Sequence, residues 1–124
     1  MANLESSLKD AMAIGGAIGV ALVDYGSGMA LGTLGDGGGL DLNVAAAGNT
    51  DVVRAKMRAM ELLNLHDNEI EDILVSLTSQ YHLVRPLTTK NARGLFLFLA
   101  LDRTRANLAM ARHQLKQIEL QLEV

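Results

Sequence analysis

Cysteine and tryptophan are absent from this 124-residue chain, and proline occurs once, at Pro86. The missing cysteine removes disulfides, thiolate catalysis and Cys-ligated zinc together. Aromatic residues make up only 3% of a chain that is 49% hydrophobic. Leu, Val, Ile, Ala and Met must therefore build the core, and aromatic-lined cages or base-stacking platforms are disfavoured. No charge of one sign dominates. The formal net charge is −3 and the charged residues are dispersed, so the basic footprint needed for phosphate backbones is missing and no nucleic-acid partner is expected. Long apolar runs are missing too. The longest, Ala11 to Val23, holds Gly15, Gly16 and Gly19 and ends at Asp24, too short to span a bilayer. No basic segment precedes it as a secretory signal would need. A cytoplasmic location without direct membrane insertion is the expectation.

What is present fits one domain over residues 1–124. Leu4, Leu8, Ala11 and Met12 recur at helical spacing behind Asn3 as N-cap, which predicts a first helix over about 4–12. Ala17 to Asp24 and Met29 to Leu34 flank the turn-rich Asp24-Tyr25-Gly26-Ser27-Gly28 and predict a hairpin. After the loop Gly35 to Gly39, Asp41 can cap a second helix reaching about Leu63, with Gly48-Asn49 weakening its first turns. The period then changes to two. Ile73, Val75 and Leu77 alternate in a third strand, a fourth runs near Tyr81 to Leu87, and Gly94 to Leu101 reads as a central strand covered on both sides. Leu108, Ala111, Leu115, Ile118 and Leu122 form one stripe of a last helix over about 106–122. The order α-β-β-α-β-β-β-α implies one mostly antiparallel sheet with helices on both faces, an α/β arrangement of the α+β type.

Catalytic and ligand motifs do not materialise. Gly15-Gly16-Ala17-Ile18-Gly19 lies before a strand, whereas a dinucleotide fingerprint must follow one and open a helix. Gly35 to Gly39 lacks the Gly-Lys-Ser/Thr ending of a P-loop, and Gly26-Ser27-Gly28 is hairpin chemistry. His66, His82 and His113 fall in different elements, without the convergent ligands that zinc needs. None of the serines sits in a Gly-x-Ser-x-Gly elbow. The acidic group Asp67, Glu69, Glu71 and Asp72 lacks the glycine and twelfth-position Glu of a calcium loop, and reads as a solvated approach guarding an edge strand. No enzyme activity, cofactor or metal is expected.

Helix 2 is the informative element. At about 100° per residue, Val53, Met57 and Met60 form one apolar patch and Val52, Ala59 and Leu63 a second, with Ala55 and Leu62 beyond. Together they cover more than the roughly 100° that a single packed face requires. Asp51, Arg54, Arg58 and Glu61 leave one wet stripe. Such a helix packs on its own sheet and on a partner, and Val53, Met57 and Met60 are expected at a helix 2 dimer contact. The like-charged pair Arg54 and Arg58 is expected to be compensated by Asp51 and Glu61, or to belong, with them, to a partner-binding platform.

The element order resembles the roadblock (dynein light chain) family. So do Ala17-Ile18-Gly19-Val20-Ala21-Leu22-Val23-Asp24 before a glycine turn, the Ala-rich second helix, and the Asp102-x-x-x-x-Asn107-Leu108 entry to the last helix. The resemblance covers essentially the whole chain and is strongest to small actinobacterial conservon members, encoded beside a sensor-kinase-like protein and a Ras-like GTPase. It implies a profilin-like three-layer sandwich with a five-stranded sheet in the order 2-1-5-4-3, helices 1 and 3 on one face and helix 2 on the other. It also implies homodimers that pair helix 2 with helix 2 and strand 3 with strand 3, which adds Ile73 and Val75 to the expected interface. The function so implied is a homodimeric adaptor that regulates or localises a Ras-like small GTPase. A small-ligand sensor, or a scaffold for a motor or kinase complex without GTPase contact, is the alternative. Pro86 departs from an ideal inner strand and demands a bulge or an early strand end.

Overall fold

The computed structural model describes residues 3–123. The elements are α1 (Leu4–Met12), β1 (Ala17–Asp24), β2 (Met29–Leu34), α2 (Leu42–Leu62), β3 (Ile73–Ser76), β4 (Gln80–Pro86), β5 (Leu95–Asp102) and α3 (Leu108–Gln121). Each helix starts where a short polar side chain can take an orphan amide. Asn3 accepts from the Ser6 N–H at 2.9 Å, Asp41 from those of Asn43 and Val44, and Asn107 from that of Met110 at 3.0 Å. The last cap explains why α3 begins at Leu108 rather than 106: residues 102 to 106 are held in a turn by Ala106 N–H donating to the Asp102 carbonyl.

The five strands lie in the order β2-β1-β5-β4-β3, and every neighbouring pair is antiparallel. One face carries α1 and α3 over Val20, Leu22, Leu83, Leu97, Leu99 and Leu101. The other carries α2 over Ala21, Val23, Val84, Phe96, Phe98 and Ala100. This is the profilin-like three-layer sandwich that the roadblock resemblance implies. β5, buried on both faces, is its centre.

Pro86 is the last residue of β4 and stands where its missing N–H leaves no ladder bond unmade. Leu87 N–H donates to the Leu95 carbonyl at 2.8 Å, so Pro86, opposite Phe96, occupies the alternate, non-hydrogen-bonded position of that ladder. Its ring nitrogen faces the other side, where β3 has not yet begun, because Ile73 pairs only as far along as Val84. β3 is also shorter than the alternation of Ile73, Val75 and Leu77 suggests. Leu77 leaves the strand, and its N–H donates to the Gln80 carbonyl to close the β3–β4 hairpin.

Two glycines are needed where they stand. Gly28 closes the β1–β2 turn at φ +79°, a backbone conformation that strains any residue with a side chain. Gly35 has φ +88°, and a Cβ there would come within 2.7 Å of the Ile18 carbonyl oxygen.

Candidate functional site

α2 divides into three faces. The first, Leu42, Ala46, Thr50, Val53 and the half-buried Met57, covers its own sheet. Val53 is 0% exposed. The sheet face beneath it is made of alanines, valines and two phenylalanines that need a cover, and Val53 and Met57 supply it. Both therefore leave the set of residues expected at a dimer contact. The second apolar patch is the exposed one: Val52 is 40% exposed, Leu62 77% and Leu63 63%, with Ala55 exposed and Ala59 half-exposed between them. Two turns of small side chains flanked by leucines let another helix approach closely.

Beside this patch lies the edge of β3. Ile73 and Val75 are half-buried and on the α2 face, and Leu74 is exposed on the opposite one. The hydrogen-bonded pairs of the β3–β4 ladder fall at Ile73 and Val75, given the closing bond at Leu77. The N–H and C=O groups of Leu74 and Ser76 therefore point outward, and no strand among the described residues takes them. Between α2 and this edge runs a groove of about 480 Å³, lined by Val52, Lys56, Met60, Leu65, Ile70 and Ile73. Met60 and Ile73, both expected at a dimer interface, line this groove.

The opposite edge is less suited to pairing. β2 meets β1 with a bulge: Gly32 pairs with Leu22 and Ala30 with Val23, leaving Leu31 without an opposite residue. A bulge twists an edge away from strand addition. β3 carries none, its register from Ile73 to Ser76 being continuous.

The third face of α2 is the wet stripe, where Asp51, Arg54, Arg58 and Glu61 are all exposed. Arg54 is not compensated by Asp51. Its Nε donates to the Tyr25 carbonyl at 2.9 Å and its Nη2 to the Gly26 carbonyl at 2.6 Å, pinning the β1–β2 turn to α2. The Arg54 guanidinium is thus held by two backbone carbonyls and not by an acidic neighbour. Arg58, Asp51 and Glu61 make no ion pair among the described residues.

The acidic approach to β3 is taken up by arginines. Glu69 pairs with Arg93 at 3.4 Å, and Asp72 accepts from Arg112 Nε at 2.7 Å and Nη2 at 2.8 Å. Asp72 raises the pKa of Arg112 further above its ordinary value by those hydrogen bonds and by direct attraction. No cluster of His, Asp and Glu among the described residues is placed to hold a metal ion. No helix among them is long and apolar enough to cross a membrane. His66 and His113 are exposed. His82 lies in β4 in a T-shaped contact with Phe98, ring centroids 5.1 Å apart, and with Nε2 at 2.8 Å from Gln80 Oε1.

Sequence reasoning missed one buried ion pair. Arg85 on β4 donates through Nε to Oε1 of Glu119 on α3 at 2.8 Å, and the two residues are 8% and 3% exposed. Oε2 of the same carboxylate accepts the Thr88 N–H at 2.7 Å and the Thr89 N–H at 3.4 Å. The signal was there: a charged residue interrupts the apolar strand at Arg85, and another lies beside Ile118 on the buried stripe of α3.

No protein-family model matches the chain, and no curated protein resembles it in sequence. Solved structures do resemble it in shape. A roadblock/LC7 domain from Streptomyces avermitilis superposes with a TM-score of 0.75 at 14% identity, over 97% of this chain and 94% of that one. The chain has the roadblock/LC7 fold. MglB from Myxococcus xanthus shares that roadblock fold with a TM-score of 0.71 at 19% identity, covering 92% of this chain and 77% of its own. The gliding protein mglB from Thermus thermophilus gives 0.68 at 17%, covering 94% and 88%. The conserved quantity is the path of the chain, since fewer than one residue in five is shared with any of these.

Proposed function

We propose that this protein is a non-catalytic homodimeric adaptor of the roadblock type, working by presenting a composite surface to a Ras-like small GTPase. The observation that carries the dimer is the asymmetry of the two sheet edges: β2 is bulged, while β3 is regular, open on its outer side and flanked by the exposed apolar stripe of α2. Two outward-facing residues on β3 give few ladder hydrogen bonds. Burial of Val52, Leu62 and Leu63 against the same residues of a second copy supplies the larger part, at about 25 cal/mol per Å² of apolar surface removed from water. A two-fold axis through such a patch closes the assembly at two copies. A solved MglB is described as having a tetrameric arrangement, so association among roadblock folds can also extend further.

The GTPase is inferred from the resemblance to roadblock proteins, which act as platforms for small GTPases or as adaptors in motor complexes. In the dimer the wet stripes of two α2 helices lie near one another, and Asp51, Arg58 and Glu61 are the side chains on them free to meet a partner. The test is surface plasmon resonance against Ras-like GTPases encoded by the same genome, loaded with GDP or a non-hydrolysable GTP analogue. Saturable binding that Arg58→Glu weakens supports the proposal. Binding to none of them in either nucleotide state overturns the GTPase assignment and leaves the dimer standing.

A further inference from the structure

The geometry points to an oxyanion-binding site between α3 and the start of β3, where Arg85 and Lys116 face one cavity. This site lies on the opposite sheet face from the α2 surface and does not depend on dimerisation. A guanidinium has five N–H donors in a rigid fork. Arg85 is almost wholly buried, yet only its Nε is satisfied by protein, through Glu119. No described residue accepts from its Nη nitrogens, and the side chain lines an open cavity of about 380 Å³ that also holds Glu71, Asp72, Arg112, His113 and Lys116.

The carboxylates nearby are turned elsewhere. Both oxygens of Glu119 are engaged, one by Arg85 Nε and the other by the amides of Thr88 and Thr89. Both oxygens of Asp72 accept from Arg112. Glu71, exposed on the rim, is the remaining acid. Lys116 follows Arg112 by one helical turn and has no acidic partner among the described residues. The Nη edge of Arg85 is thus held in place by Glu119 behind it, with a second cation at the mouth. A carboxylate or a phosphate fits that arrangement, because either presents two oxygens to a guanidinium edge.

The test uses the whole protein, uniformly labelled with nitrogen-15, titrated with sodium phosphate or sodium acetate at constant ionic strength balanced by chloride. The Arg85 Nε–H resonance, protected by its buried hydrogen bond, is the reporter. A saturable shift with either oxyanion is expected, and the tighter of the two identifies the source as phosphate or carboxylate. Lys116→Ala, an exposed change that leaves the fold intact, should weaken binding roughly threefold to fivefold, the effect of one partly exposed charge pair. Lys9→Ala on α1 should leave it unchanged. A linear, non-saturating drift with both salts, or equal affinity in the Lys116→Ala variant, would overturn the site.

Discussion

Glu119 joins three parts of the chain through one carboxylate: it accepts from Arg85 Nε on β4 at 2.8 Å and from the Thr88 amide beyond Pro86 at 2.7 Å, while riding on α3. The ladder ends at Leu87, whose N–H donates to the Leu95 carbonyl, and Glu119 takes the next amide, that of Thr88. Glu119→Ala would strand a buried guanidinium and two amides, and should destabilise by about 3–5 kcal/mol in urea unfolding. The double change Arg85→Met with Glu119→Leu removes both charges but not the loop's need for an acceptor. It should recover part of that loss and remain about 1–2 kcal/mol below the parent. Full recovery would mean that the amides of Thr88 and Thr89 do not depend on Glu119.

Arg54 and Arg58 look equivalent on a helical wheel and are not. Arg54 holds the carbonyls of Tyr25 and Gly26, whereas Arg58 makes no ion pair among the described residues. Arg54→Ala should cost about 1 kcal/mol and speed amide exchange at the β1–β2 turn. Arg58→Ala should stay within about 0.5 kcal/mol of the parent. Equal effects of the two changes in thermal unfolding and hydrogen exchange would remove the clamp.

Local features were legible in the sequence because they depend on neighbours a few residues apart. Asn3 and Asp41 cap the helices they precede, Gly28 closes a hairpin, and Pro86 is the last residue of a strand. The width of α2's apolar surface was legible as well. Which patch meets the sheet was not, because a wheel fixes angles between side chains and not the rotation of the helix on its support. Val53 and Met57 went to the core for that reason, leaving Val52, Leu62 and Leu63 outside. Contacts between distant segments escaped altogether: Arg54 to Tyr25 spans 29 residues and Arg85 to Glu119 spans 34. The bulge at Leu31 also left no trace, since β2 is short and its alternation weak.

His82 makes stability depend on pH. Burial lowers its pKa below the ordinary value of 6.5, so the unfolded chain takes up that proton first as pH falls. Stability contributed by neutral His82 is complete above the unfolded pKa and declines as pH drops through 6.5 toward the folded value. His82→Gln, which keeps a polar group near Gln80, should flatten the unfolding free energy between about pH 7 and pH 5. An unchanged slope in that variant would show that the ring is not desolvated.

The apolar stripe on α2 and the open edge of β3 give a direct test of self-association by light scattering after gel filtration at micromolar concentration. The parent protein should elute as a dimer of its 13.3 kDa chain. Val52→Asp with Leu63→Asp, both at exposed positions, should elute as a folded monomer with unchanged circular dichroism, because two carboxylates would be buried unpaired at the centre of the contact. A monodisperse parent monomer at that concentration, or a dimer that survives both substitutions, would contradict association through this face.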